Sequence, residues 1–259
     1  MEEQSQGGVA RYWWVAIVVV ALVLLGVWAL MERLHPRQSK SNTVGTQTAE
    51  QRISVLLPFA AGNEPYGIMP MGETVHHSAP IGHPGIDFFW TKQPQLIASF
   101  DGIVQTLSRD GKDESGTGIS YWMVDIVSDN GQFEANYGEL IDYNTALSVG
   151  SKVKQGDYVG HPHNKGIGGK DDFMTHWSFQ ASNDGELTLC PLTYLDATSL
   201  ARINAIWANT TTYADKTQFP KICNGVFDGL DSLTAHDSMR NQLGLVNGPS
   251  SDSGSTASK

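Results

Sequence analysis

His83-Pro84-Gly85-Ile86-Asp87 combines two metal-binding side chains with a turn. Proline and glycine supply the bend, and the four-residue spacing can direct an imidazole and a carboxylate at one cation. Histidine nitrogen and aspartate oxygen are both good ligands for zinc. Because the same spacing is common in surface pairs and in hydrogen-bonded turns, the pair indicates a metal site only together with the rest of the chain.

Short apolar runs separated by turn signals follow one another from Ile53 onward. They are I-S-V-L-L-P-F (53–59), I-D-F-F-W (86–90), L-I-A-S-F-D-G-I-V-Q-T-L (96–107), W-M-V-D-I-V (122–127), Q-F-E-A-N-Y-G-E-L (132–140), K-V-K-Q-G-D-Y-V-G (152–160) and M-T-H-W-S-F-Q-A (174–181). Their lengths, together with 27 glycines, predict an all-β sandwich or barrel. Helical periodicity appears only late, at Thr198–Trp207.

The composition excludes one class of partner. The formal net charge is −10, the isoelectric point is about 5.1, and the sequence contains no basic run. Phosphate binding needs clustered lysine and arginine. The chain is therefore not expected to bind nucleic acid.

The N-terminal part predicts a membrane anchor. A short polar tail (1–11) precedes the uncharged apolar run 12–31, which has the length of a bilayer core and predicts an uncleaved transmembrane helix. The polar residues 32–52, which lack periodicity, predict a flexible linker. Taken literally, the positive-inside rule puts the C-terminal part in the cytoplasm, since most nearby basic residues follow the run.

The order of motifs in the β region is specific. After H-P-G-I-D come Y-G-E-L (137–140), V-G-S-K-V-K-Q-G-D-Y-V-G (149–160), a Gly-rich loop, H-W-S-F-Q (176–180) and C-P-L-T-Y-L (190–195). This order resembles that of the lysostaphin-type (LytM-like) zinc endopeptidases of the bacterial cell wall, over roughly Pro70–Leu195. The resemblance implies a compact antiparallel β domain, placed here at residues 53–195. A C-terminal extension (196–247) and a disordered tail (248–259) follow.

The resemblance also implies a set of site residues. The family's first two zinc ligands fall on His83 and Asp87, and its catalytic histidine falls on His176. Ser178 stands where the family has its third zinc-binding histidine, and a neutral hydroxyl is a poor zinc ligand. Glu139 replaces the family's second catalytic histidine; a carboxylate can act as a base but cannot donate a proton while ionised.

Other histidines could replace the missing ligand. His161 and His163, in what reads as a loop before the H-W-S-F strand, are one pair, and His76 and His77, shortly before His83, are another. The alternative is a domain that no longer holds a catalytic metal.

Two functions from different classes are compatible with these residues. The first is a membrane-anchored, degenerate LytM-like domain that binds peptidoglycan or regulates a cell-wall hydrolase. The second is an active zinc endopeptidase that cleaves peptide cross-links of peptidoglycan, using His83, Asp87 and a substitute ligand. Because the resemblance is to envelope proteins, the domain is expected to face the periplasm or the cell exterior, against the charge rule.

Cys190 and Cys223 are the only cysteines of the chain. In an oxidising compartment they could form a disulfide that closes a loop of about 33 residues and contributes about 3–4 kcal/mol. The alternative is two independent buried thiols.

Overall fold

The computed structural model describes residues 53–110, 120–166, 171–182, 187–211, 215–243 and 245. Nine strands of these ranges form one antiparallel sheet: β1 (Gly67–Met69), β2 (Ile86–Trp90), β3 (Leu96–Ile97), β4 (Gly102–Asp110), β5 (Tyr121–Ser128), β6 (Phe133–Tyr143), β7 (Lys152–Val153), β8 (Tyr158–Asn164) and β9 (Phe173–Ala181). The antiparallel β class predicted from the sequence is confirmed, and the described strands belong to one continuous sheet.

The order of strands in the sheet is β1-β2-β9-β8-β6-β5-β4-β7, with β3 beside β8 and a further pairing between β9 and β6. The strands that carry the H-P-G-I-D and H-W-S-F-Q motifs are therefore direct neighbours, although they lie far apart in sequence.

Strand β6 changes its partner within its length. Its first half pairs with β9, ending at Gly138 opposite His176, and its second half pairs with β8, beginning at Leu140 opposite Pro162. Glu139 lies between the two halves with φ of +58°, in the left-handed region. Left-handed backbone is uncommon for residues other than glycine, so this carboxylate stands at a local irregularity of the sheet.

Alternate residues of β9 lie on opposite faces of the sheet, and the buried core identifies which face each residue occupies. Successive side chains of a strand point to opposite faces of the sheet. Trp177 and Phe179 belong to the hydrophobic core and are almost fully buried. His176 and Ser178 therefore lie on the other face, where β2 presents Asp87 opposite His176.

A mostly helical extension follows the sheet, as predicted. A short 3-10 helix (Pro191–Thr193) precedes it, and the extension contains the helices α1 (Ala197–Asn209) and α2 (Leu233–Leu243) and a second 3-10 helix (Gly225–Phe227). The side chain of Asp196 caps α1 by accepting a hydrogen bond from the Ser199 amide. A disulfide joins Cys190 to Cys223, with the sulfur atoms 2.14 Å apart.

Two local predictions differ from the structure. The run 53–59 makes only isolated bridges, Val55 to Leu195 and Phe59 to Leu96. The segment is buried, but Pro58 has no amide to donate to a ladder. His161-Pro162-His163 is part of strand β8, not of a loop; a register shift between β6 and β8 at this point accommodates the proline.

The predicted membrane helix at residues 12–31 lies outside the described residues, as do the polar tail, the whole linker (32–52) and the C-terminal tail. Within the described ranges, no helix is long and apolar enough to cross a bilayer.

Candidate metal centre

Three side chains of the described residues bring their ligand atoms together. Nε2 of His83 lies 3.1 Å from Oδ1 of Asp87 and 3.1 Å from Nδ1 of His176. The third distance, from Nδ1 of His176 to Oδ1 of Asp87, is 2.9 Å. Asp87 of β2 and His176 of β9 are cross-strand partners, His83 lies in the loop before β2, and His83 and Asp87 are almost fully buried.

This triangle fits a zinc ion. Zinc sites are usually tetrahedral, with bonds of about 2.0–2.2 Å to nitrogen and oxygen, so neighbouring ligand atoms stand about 3.3 Å apart. The three observed distances of 2.9, 3.1 and 3.1 Å are close to that value. Two imidazoles and one carboxylate, with a fourth position left for water, are also a donor set found at catalytic zinc.

The imidazole of His83 is oriented by the backbone. Its Nδ1 atom lies 3.3 Å from the carbonyl oxygen of Pro70, and a carbonyl can only accept a hydrogen bond. A proton on Nδ1 satisfies this carbonyl, and Nε2 is the nitrogen that faces Asp87 and His176 and that a metal ion would bind. Such an outer hydrogen bond is usual for zinc-binding histidines.

The charge of Asp87 is stabilised by the two histidines. Burial alone would raise the pKa of this carboxyl. The electrostatic interaction with His83 and hydrogen bonds from His176 and His83 outweigh that effect and hold the pKa of Asp87 far below its usual range. Asp87 is therefore a carboxylate, the form that binds a cation.

A second histidine covers one side of His83. The rings of His77 and His83 have their centroids 4.4 Å apart. Nδ1 of His77 lies 3.0 Å from a carboxylate oxygen of the buried Glu73, which also accepts hydrogen bonds from the Val75 and His76 amides. Neither His76 nor His77 belongs to the three-residue ligand group.

Glu139 forms an ion pair with Lys165 near the triangle. Its carboxylate lies 2.9 Å from Nζ of Lys165, and both side chains are largely buried. Burial raises the pKa of Glu139, Lys165 opposes that rise, and the nearby charge of Asp87 adds to it. The position that the resemblance assigns to a histidine thus holds a buried carboxylate–ammonium pair.

The remaining predicted residues are arranged differently. His176, predicted as a catalytic residue, offers the third candidate ligand atom. Ser178 is two residues further along β9, on the same face as His176 and opposite Asn136 of β6. His161 is hydrogen-bonded to Asp142. His163 is buried in β8 and is not in the ligand group.

Some residues around the centre could not be identified from the sequence. Pro70 acts through its carbonyl group, which carries no sequence signal. Lys165 precedes a Gly-rich loop, and nothing in its spacing relates it to Glu139. Gly85 was interpreted only as part of a bend, but its backbone also lies against the ring of His176.

Comparison with known proteins gives structural neighbours only. The sequence matches no protein-family profile and no curated protein. Structures to which the chain is similar include Csd3 from Helicobacter pylori (20% identity, 56% of this chain and 34% of that chain, TM-score 0.39). A second is the SpoIIQ–SpoIIIAH pore-forming complex (18% identity, 59% of this chain and 97% of that chain, TM-score 0.41). A third is the catalytic domain of the antimicrobial peptidase lysostaphin from Staphylococcus simulans (20% identity, 52% of this chain and 89% of that chain, TM-score 0.36). The chain covers about a third of the Helicobacter protein's length.

Proposed function

We propose that the chain is a cell-envelope protein whose LytM-like domain binds one zinc ion through His83, Asp87 and His176. In this proposal the domain binds peptidoglycan peptides, or a hydrolase that acts on them, and does not cleave cross-links efficiently. The observation that carries the proposal is the contact of Nδ1 of His176 with both other ligand atoms, at 2.9 and 3.1 Å.

The proposal follows from the number of histidines at the centre. Bound zinc would polarise a carbonyl group and lower the pKa of its water. Hydrolysis also needs a side chain that exchanges protons with this water or stabilises the oxyanion. An imidazole nitrogen that ligates zinc cannot also hold that water, so His176 can serve only one role. Ser178 and Glu139 occupy the two positions where the family has further histidines.

One observation favours hydrolysis as a second candidate. Glu139 is a buried carboxylate that feels the charges of Asp87 and His176. A carboxylate at this place could take a proton from the attacking water and deliver it to the leaving amine. Lys165, 2.9 Å from Glu139, would supply a positive charge beside the reacting carbonyl.

Metal analysis combined with a cleavage assay separates these functions. The full-length chain and His83→Ala are purified without chelators, and zinc is measured by mass spectrometry. Each protein is then mixed with purified peptidoglycan, to measure both sedimentation with the wall and release of cross-linked peptides. The proposal predicts one zinc per wild-type chain, binding to the wall and no release above the His83→Ala background.

The outcomes are distinct. Release of peptides that is lost in Glu139→Gln, with zinc retained, would establish the endopeptidase. Absence of zinc from the wild-type chain, even with micromolar zinc added, would overturn the metal-binding proposal. Failure to sediment with the wall would leave a hydrolase as the partner to be sought.

We also propose that residues 12–31 anchor the chain and that the β domain faces the periplasm or the exterior. The disulfide between Cys190 and Cys223 supports this side, because disulfides persist in oxidising compartments. The basic residues after the apolar run favour the opposite side. Protease added to intact spheroplasts should remove the β domain; protection until lysis would reverse the orientation.

A further inference from the structure

The segment 70–73 forms the backbone support of His83. The Gly72 amide donates to the carbonyl of His83, and the His83 amide donates to the carbonyl of Glu73, both at 2.9 Å. The carbonyl of Pro70 accepts the hydrogen bond from Nδ1 that orients the His83 ring. Position and rotation of this imidazole therefore depend on where segment 70–73 lies.

The C-terminal extension holds the other side of the same segment. Met71 and Cys223 form an isolated parallel bridge, in which the Met71 amide donates to Ile222 at 2.9 Å. The amide of Asn224 donates to the Met71 carbonyl at 3.1 Å, and the Asn224 side chain donates to that same carbonyl at 3.1 Å. Asn224 is 92% buried in this position, since only 8% of its surface is exposed.

The two backbones fit closely. Gly72 has φ of +77°, and a Cβ atom at this residue would overlap the carbonyl oxygen of Asn224. Glycine is required here for both reasons. A contact of this closeness transmits a displacement of the extension directly to the segment that holds His83.

The disulfide connects this contact to the strand that carries the third ligand. Cys223 is bonded to Cys190, which follows β9 in the chain. The Leu189 amide donates to Phe179 of β9, and the Cys190 amide donates to Leu230 of the extension, both at 2.7 Å. Residues 222–224 are thereby fixed relative to β9, on which His176 lies.

We propose that residues 222–224, fixed by the Cys190–Cys223 disulfide, position His83 for metal binding. Asn224 is the positioning residue, and it acts on His83 through Met71 and Gly72. The extension is then part of the metal centre, although none of its side chains ligates. This inference rests on the zinc site of the proposed function.

Two variants and one control test the proposal in the full-length chain. Asn224→Ala removes the side-chain hydrogen bond to Met71, and the double variant Cys190→Ser/Cys223→Ser removes the disulfide. Lys221→Ala is the matched control, because it removes an exposed ion pair with Asp228 inside the same extension. Zinc affinity is measured by competition with a chromophoric chelator, and hydrogen–deuterium exchange is measured without metal.

We expect about tenfold weaker zinc binding in both variants, at the lower end of the range for outer-shell residues, and wild-type affinity in the control. Amide exchange should become faster in segment 70–83 and stay unchanged in β4 and β5. Unchanged zinc affinity and exchange in Asn224→Ala would overturn the proposal. Faster exchange spread equally over β4 and β5 would also contradict it, since the extension would then stabilise the whole domain.

The exchange measurement separates this inference from the proposed function. If the wild-type chain binds no zinc, the proposed metal site fails. The amide exchange of segment 70–83 can still be compared between the metal-free wild type and metal-free Asn224→Ala. Faster exchange in the variant would support the positioning role, and equal exchange would contradict it, whether or not zinc binds.

Discussion

The imidazole of His176 lies directly against the backbone of Gly85. A Cβ atom built on this glycine would be 2.5 Å from Cε1 and 2.6 Å from Nε2 of the ring. Gly85, midway between His83 and Asp87, therefore limits where the ring of the third candidate ligand can lie, so the H-P-G-I-D motif shapes the centre with more than its two candidate ligands.

Gly85→Ala is expected to weaken zinc binding by about 10–100-fold, because the ring of His176 must move away from the other two ligands. Gly138→Ala is the matched control. Gly138 faces His176 from β6, but its Cβ would stand at an ordinary 3.4 Å from the nearest atoms. Equal zinc affinities of the two variants, measured by chelator competition, would contradict the role of Gly85.

His176→Ala should reduce zinc affinity by at least about 100-fold, because two protein ligands hold the ion weakly. Ser178→Ala should leave the affinity unchanged, since Ser178 carries a neutral hydroxyl, a poor zinc ligand, and is paired with Asn136 of β6. Calorimetric zinc titration of both variants checks this prediction. The reverse order of effects would mean that Ser178 ligates and His176 does not.

Tyr137→Phe should lower the free energy of unfolding by about 1–3 kcal/mol, the cost of a buried donor without a partner. The fully buried Tyr137 hydroxyl accepts from the Ser99 amide at 2.7 Å and donates to the Ser99 side chain at 2.9 Å. Burial raises the pKa of Tyr137 to about 12. Urea unfolding, with Tyr143→Phe as the control, gives the difference; equal costs would show that the hydroxyl contributes nothing specific.

Glu134→Gln should raise the melting temperature at pH 7 and leave it unchanged near pH 3. Burial raises the pKa of Glu134, the charge of Asp125 raises it further, and a hydrogen bond from Gln180 only partly offsets these effects. The folded state then favours the protonated acid, so stability falls as pH rises from the unfolded pKa toward the folded one.

Glutamine keeps the acceptor for Gln180 without the buried charge, which explains the expected gain at neutral pH. Thermal unfolding between pH 3 and pH 7 measures the difference. The exposed Asp231 provides a control as Asp231→Asn. A melting temperature of Glu134→Gln that is lower than wild type at pH 7 would show that the carboxylate is stabilising.

Local patterns in the sequence were sufficient for several elements. The spacing of Leu200, Ile203 and Ile206 predicted the helix α1, which the structure confirms at Ala197–Asn209. Short apolar runs between turn signals identified β5 and β9, which the structure confirms at Tyr121–Ser128 and Phe173–Ala181. These features depend on residues that are close together in the chain, so the sequence displays them directly.

Features that depend on distant residues could not be predicted in this way. The contact of His176 with Asp87 requires the register of two strands, and these residues are 89 positions apart. The helix α2 has few apolar residues and buries His236, whose Nε2 lies 2.9 Å from the Leu187 carbonyl oxygen, so its sequence lacks a clear helical stripe. The run 53–59 has the composition of a strand, but the residue that Val55 pairs with, Leu195, is distant in sequence.

The register of β2 and β9 also determines when the centre can form. A shift of one residue would turn His176 toward the core and Trp177 toward the ligands. During synthesis, His83 and Asp87 emerge long before His176, and the pair stays incomplete until β9 has joined β2 correctly. Metal uptake would therefore report that the last strand has paired in register, and a chain trapped with misaligned strands would be recognised by its inability to load zinc.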